Sequence, residues 1–147
     1  EAGATVDTPK ASYEIEIGKA KVVREGTDVT IVGLAMGVHN GLRAADQLAA
    51  RGISAEVIDL RSLVPLDRDT VINSVRKTGR LIVVDEDYQS YGVSGEIITS
   101  VVEHDYSILR AAPKRVAYPD VPIPFARPME QFCLPNAEKI VAAYDAM

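Results

Sequence analysis

The run AEVIDLRSLVPLD, Ala55 to Asp67, limits the folds open to this chain more than any other stretch. It begins as an apolar strand, Val57-Ile58-Asp59-Leu60, and then meets Pro65. Proline lacks an N–H and disfavours helix at the residue before it, so the strand has to leave its sheet here. Asp67 follows as a helix cap, able to accept backbone N–H bonds from the next first turn. A second apolar strand, Leu81-Ile82-Val83-Val84, comes after Gly79. Strand, bent connector, capped helix and strand form a βαβ unit, and its strands are parallel.

The same pattern extends in both directions. Val29 to Leu34 is a continuous apolar run, as in a strand covered on both faces. From Val38 to Arg51 the period changes to helical, with Leu42, Ala45, Leu48 and Ala49 on one face and Gly52 as the stop. Further helices are expected over Asp67–Lys77, Gly92–Glu103 (Ile97, Ile98, Val101 and Val102 inward) and Asn136–Ala146. Arg115–Ala117 begins the last strand. Tyr13, Ile15 and Ile17 alternate with glutamates and predict a half-buried first strand, which Val22-Val23 extends after Gly18. The hairpin-like turn into Val29 makes that strand antiparallel to the others. Val121–Pro128 is proline-rich and predicts an ordered, extended docking segment. The expected architecture is a three-layer α/β/α sandwich around a five-stranded mixed sheet over residues 13–147, preceded by a linker or flexible arm at 1–12.

Composition excludes several classes. The 147 residues suit one domain, and 47% are hydrophobic. A net charge of −5, with lysine and arginine scattered, gives no concentrated basic face for nucleic acid. No apolar run approaches the roughly 18–20 residues of a membrane span. Cys133 is the one cysteine, which rules out an intrachain disulfide and a cysteine zinc site and suits a reducing compartment.

The candidate chemistry collects at strand ends. Gly33, Gly37 and Gly41 flank the first strand–helix junction, where open sheets bind ligands. Their spacing matches neither a dinucleotide fingerprint nor a P-loop, and close helix–sheet packing is the plainer explanation. His39 opens the same helix and is a candidate for a channel or subunit interface. Asp85-Glu86-Asp87 ends a strand and is a candidate cation cluster, with loop acids as the alternative. Cys133 sits between Phe132 and Leu134 as a packed thiol rather than a nucleophile.

VIDLRSLVPLD resembles the C-terminal domain of transketolase-like enzymes. Within them it is most similar to the beta subunit of the E1 component of 2-oxo acid dehydrogenase complexes, the pyruvate, branched-chain 2-oxo acid and acetoin dehydrogenases. IGKAKVVREGTDVTIVG, KTGRLIVVDED, GVSGEI, APKRVAYPDVPIPFA and LPNAEKI fit the same family in the same order. The chain departs from the usual pattern at Val64, at Phe125 (often Tyr) and at Met129-Glu130 (often Leu-Glu).

The resemblance implies a five-stranded sheet whose first strand runs against the rest. It also implies an oxidoreductase that uses thiamine diphosphate and magnesium, held between two other domains by a Gly-Asp-Gly motif and a glutamate. No Gly-Asp-Gly occurs here, so the expectation is no catalytic residue, no cofactor and no metal bound by this chain, and no activity in isolation. The implied partners are the N-terminal domain of the same subunit, an E1 alpha subunit, a second E1 beta subunit and the subunit-binding domain of E2. Asp120, Glu130 and the carboxylate of Met147 are the candidate E2-docking residues. The implied setting is bacterial cytoplasm, or the mitochondrial matrix if a targeting segment was removed. Other readings remain open: the end domain of a different transketolase-family enzyme, a freestanding flavodoxin-like module with its own small ligand, or a purely structural oligomerisation domain.

Overall fold

The computed structural model describes residues 12–147. Its elements are β1 (Lys21–Arg24), β2 (Val29–Gly33), α1 (Met36–Ala49), β3 (Ala55–Asp59), α2 (Arg68–Thr78), β4 (Leu81–Tyr88), α3 (Val93–Asp105), β5 (Lys114–Tyr118), α4 (Arg127–Cys133) and α5 (Ala137–Asp145). The strands lie in the order β1-β3-β2-β4-β5. β1 runs antiparallel to β3, and the other pairs are parallel. This is the expected α/β/α sandwich with a reversed first strand.

β2 occupies the centre because it is apolar on both faces. Val29, Ile31 and Val32 have no exposed surface. The period of two then divides the core. Val29, Ile31, Val57, Ile82 and Val84 meet Ala44, Ala45 and Leu48 of α1 and Ile140 of α5. Val32, Ile58 and Val83 meet Val71 and Val75 of α2 and Ile97 and Val101 of α3. Each such aliphatic side chain contributes about 1.5–3 kcal/mol on burial.

Asp67 acts as the expected cap and also as a clasp. One oxygen accepts from the Thr70 N–H at 3.2 Å. The other accepts from the Thr70 hydroxyl at 2.8 Å and from the Ala20 N–H at 2.9 Å, tying the start of α2 to the lead-in of β1. Ser62 repeats the device nearby, accepting from the Gly18 N–H and donating to the Pro65 carbonyl, both at 2.9 Å.

α1 lies against the sheet at backbone distance. A Cβ on Gly33 would come within 2.6 Å of the Val38 nitrogen, and one on Gly37 within 2.9 Å of the Val84 carbonyl oxygen. The glycines at this junction therefore serve helix–sheet packing. They also draw the first turn of α1 to the carboxyl edge of β2 and β4.

Three expectations are corrected. Residues 13–16 are not a strand: Tyr13, Ile15 and Ile17 are more than half exposed or at that boundary, and Ile17-Gly18 is a turn. β3 is only five residues long and pairs with β1 at Val57, Ile58 and Asp59, so residues before Gly18 have no strand to continue against. The tail is not extended throughout, because Arg127–Cys133 forms α4 with Pro128 in its first turn, where a missing N–H costs nothing. Val102 points outward at 41% exposure, while Ile97 and Val101 are buried. Cys133 is buried, as expected. The arm expected over 1–12 falls almost wholly outside the described residues.

Two stability outcomes follow. Burial opposes ionisation of Asp67, but the bonds from Thr70 and Ala20 outweigh it and hold the carboxyl below its ordinary range. Its contribution is thus complete above about pH 3.9 and lost as pH falls through the depressed native value. Asp67→Ala is expected to cost about 1–2 kcal/mol near neutrality and to weaken the acid dependence of urea unfolding over that window. Gly33→Ala is expected to cost about 1–3 kcal/mol by forcing α1 off the sheet, read as a lower urea midpoint.

Candidate functional site

The sequence order reverses at the middle of the sheet. β2 connects through α1 to β3 on one side, whereas β4 connects through α3 to β5 on the other. Ligands of open α/β sheets bind at the carboxyl ends of the strands flanking such a reversal. In this chain those strands are β2 and β4, and a crevice of about 480 Å³ opens there. α1 supplies Met36, Asn40 and Arg43, β4 supplies Glu86, and the chain around α4 and α5 supplies Gln131 and Glu138. Ala35, just before α1, holds φ at 44°, the left-handed region that a non-glycine residue rarely adopts.

The side chains here are mostly engaged in holding the fold. Asn40 donates to the Pro135 carbonyl at 3.1 Å, pinning the start of α5 to α1. Asn136 caps α5 by accepting from the Lys139 N–H at 2.9 Å. The acidic trio diverges, because successive residues of β4 face opposite sides. Asp85 is buried and accepts from the Ser94 N–H at 3.0 Å, capping α3 from the sheet. Glu86 turns into the crevice. Asp87 is exposed and accepts from the Tyr88 N–H at 2.7 Å. Among the described residues no group of three histidine, cysteine, aspartate or glutamate side chains is placed to hold a metal ion. His39 is half-buried in the first turns of α1, next to Asn40 but outside the crevice lining.

The three docking candidates do not form one patch. Asp120 follows β5 at the carboxyl edge, where it accepts from the Ser90 N–H at 3.1 Å and from the Ser90 hydroxyl at 2.6 Å. Those bonds hold its carboxyl below the ordinary range. Glu130 is half-buried in α4. Met147 follows α5 at the opposite edge of the sheet. The Arg51–Asp145 ion pair at 2.5 Å joins the ends of α1 and α5 there, and Arg80, before β4, sits over the Tyr144 ring at 6.0 Å. The Met147 side chain packs on the core between α1, α5 and the sheet.

Two features escaped the sequence. One is a polar knot at the amino edge. Glu56 is 2% exposed within β3 and pairs with Lys77, which also reaches Glu25 at 3.1 Å. Beside it, the Thr30 hydroxyl lies 2.7 Å from both Ser74 and Thr78. A charged residue inside an apolar strand, Glu56 between Ala55 and Val57, was the available signal. The other is an exposed apolar face. Tyr91, Phe125, Phe132 and Met129 are 106%, 104%, 77% and 59% exposed. Of these, Met129 and Phe132 line an almost wholly apolar groove of about 440 Å³ together with Val121, Pro124, Pro128 and Cys133.

Comparison with known proteins places this architecture. The chain is 52% identical over 133 residues to the pyruvate dehydrogenase E1 component subunit beta-1, mitochondrial, of Arabidopsis thaliana, covering 90% of this chain and 37% of that protein. It is 42% identical over 141 residues to the acetoin:2,6-dichlorophenolindophenol oxidoreductase subunit beta of Cupriavidus necator, covering 96% and 42%. A solved split gene transketolase, an inactive beta4 tetramer, superposes with a TM-score of 0.79 at 30% identity, over 91% of this chain and 43% of that one. The chain therefore spans less than half the length of these relatives. Residues 18–140 match the family described as transketolase, C-terminal domain. By that match and by its reversed-first-strand sheet, the chain belongs to the transketolase C-terminal domain family.

Proposed function

We propose that this chain is the C-terminal assembly and docking domain of an E1 beta-type subunit, in a thiamine diphosphate-dependent dehydrogenase of a 2-oxo acid or acetoin. The observation that carries the proposal is the exposed aromatic and aliphatic face at Tyr91, Phe125, Met129 and Phe132. Large exposed apolar side chains beside an apolar groove mark a protein interaction site. It lies on a domain that corresponds to 37–42% of relatives named as beta subunits of pyruvate and acetoin enzymes. On this reading the face and the carboxyl edge meet the N-terminal part of the same subunit, an alpha-type subunit, a second beta-type subunit or an E2 subunit-binding domain. The setting is then bacterial cytoplasm or mitochondrial matrix. No described helix is long and apolar enough to cross a membrane.

The described residues do not fit thiamine diphosphate and its magnesium ion. A diphosphate–magnesium site needs converging oxygen ligands, whereas Asp85 is occupied at the start of α3 and Asp87 accepts from the Tyr88 N–H. Glu86 and Glu138 against the single Arg43 leave the crevice that a diphosphate would enter without a net positive charge. In the whole enzyme the cofactor supplies carbanion stabilisation, and the role left to this domain is positioning.

Calorimetric titration of the chain with thiamine diphosphate and magnesium is expected to release no binding heat, and no 2-oxo acid should be consumed. Saturable uptake would overturn the proposal. A rise in melting temperature with nucleotides or flavins would favour a freestanding small-ligand module in the switch-point crevice instead. In a chimera joining this chain to the N-terminal part of the Bacillus subtilis E1 beta relative, Phe125→Asp is expected to weaken association with the alpha subunit about tenfold, or about 1.4 kcal/mol. Sedimentation would measure that loss. The substitution should leave the melting temperature of the isolated chain unchanged, because Phe125 is fully exposed there.

A further inference from the structure

Among the described residues, β5 ends the sheet with no strand on its outer side. Such an edge is a template for an added strand unless charge or a covering element blocks it. On β1, the opposite edge, Arg24 pairs with Asp46 at 2.5 Å, while the exposed Lys21 pairs with no carboxylate among the described residues. On the β5 side the cations line a cavity. Arg115, on the strand itself, donates to the Gln89 carbonyl at 2.5 Å. Lys139, on the neighbouring helix α5, donates to the carbonyls of Phe132 and Leu134. Neither cation has a carboxylate within 4.0 Å among the described residues. Asp120 is close enough to feel the charge of Arg115, but Ser90 occupies both its oxygens. Burial lowers the affinity of Lys139 for its proton, the behaviour of an ammonium short of a counter-charge.

Arg115 and Lys139 line one open cavity of about 440 Å³, together with Gln89, Ala117, Phe132 and Ala143. Pro119 and Phe132 also border the apolar groove under Met129 and Cys133, so the cationic pocket and the apolar groove are neighbours that share two residues. The edge thus offers free backbone bonding groups, then two cations lacking an acid, then an apolar trough. An acidic residue on an extended strand, followed by apolar residues, complements all three in that order.

We propose that the outer edge of β5 receives an extended segment of a partner protein. Its acidic residue meets Arg115 and Lys139, and its apolar residues enter the groove lined by Phe132 and Met129. The proposal rests on the assembly reading above and specifies the chemistry of one partner in it.

The test is an NMR titration of the isotope-labelled chain. The probes are an octapeptide of alternating valine and glutamate, its valine–lysine counterpart, and acetate. The acidic peptide is expected to bind about tenfold more tightly than the basic one, with shifts confined to residues 114–119, 121–133 and 139–143 and slowed exchange of β5 amides. Arg115→Glu combined with Lys139→Glu should reverse the preference between the two peptides, a gain that a merely unfolded variant cannot show. Absence of binding, equal affinity for both peptides, or shifts elsewhere would overturn the proposal. Acetate reproducing the same shifts at the same affinity would overturn it in favour of a small-carboxylate site. Loss of peptide binding on self-association would do so in favour of a second copy. A chimera that assembles normally while the acidic peptide fails to bind would sink this edge proposal alone. Peptide binding without chimera assembly would sink the broader reading instead.

Discussion

The close seating of α1 on β2 and β4 is the constraint on which the rest of the fold depends. Side chains missing at Gly33 and Gly37 let helix backbone approach sheet backbone. That approach fixes the direction in which the chain leaves β2. It covers one face of β2 with Ala44, Ala45 and Leu48 and leaves a place beside α1 for α5. It also sets the floor of the switch-point crevice, whose rim is the first turn of α1. With small residues drawn in so tightly, the carboxyl edge keeps a modest crevice rather than a deep cofactor cleft.

The two edges of the sheet are built differently. At the amino edge, polar groups are buried and mutually satisfied: Thr30 with Ser74 and Thr78, and Glu56 with Lys77 and Gly26. Burial works against ionisation of Glu56, yet the bonds from Lys77 and Ser74 prevail and keep its carboxyl below the usual range. Such a network rigidifies a structure when every member is paired. At the carboxyl edge Asp85 is buried, but Asp87 and Asp120 are open to solvent and Tyr91, Phe125 and Phe132 are exposed. One edge thus secures the domain, and the other leaves large apolar side chains uncovered.

The sequence made the central architecture legible because a strand buried on both faces cannot be written in polar residues. Val29–Val32, the Pro65–Asp67 connector and the Gly79 stop each carried a signal tied to a single physical cause. The first strand was misplaced because alternation at Tyr13–Ile17 reports local pattern, whereas pairing depends on the length of β3, a property of another segment. α4 was missed because Pro128 reads as a breaker unless the start of the helix is already known. The crevice acids were legible as a trio, but not their divergence, which comes from the pleat of β4 and from Ser94 nine residues onward. The separation of Asp120 from Met147 depends on the parallel alignment of α1 and α5, which no local pattern encodes.

The central place of β2 has a bearing on how the chain acquires its shape during synthesis. Its two neighbours, β3 and β4, begin at Ala55 and Leu81, so this central strand is made before either and bounded on both sides only later. Until Leu81–Val84 emerge from the ribosome, Val29–Val32 keeps one bare flank, the kind of surface that chaperones hold and aggregates recruit.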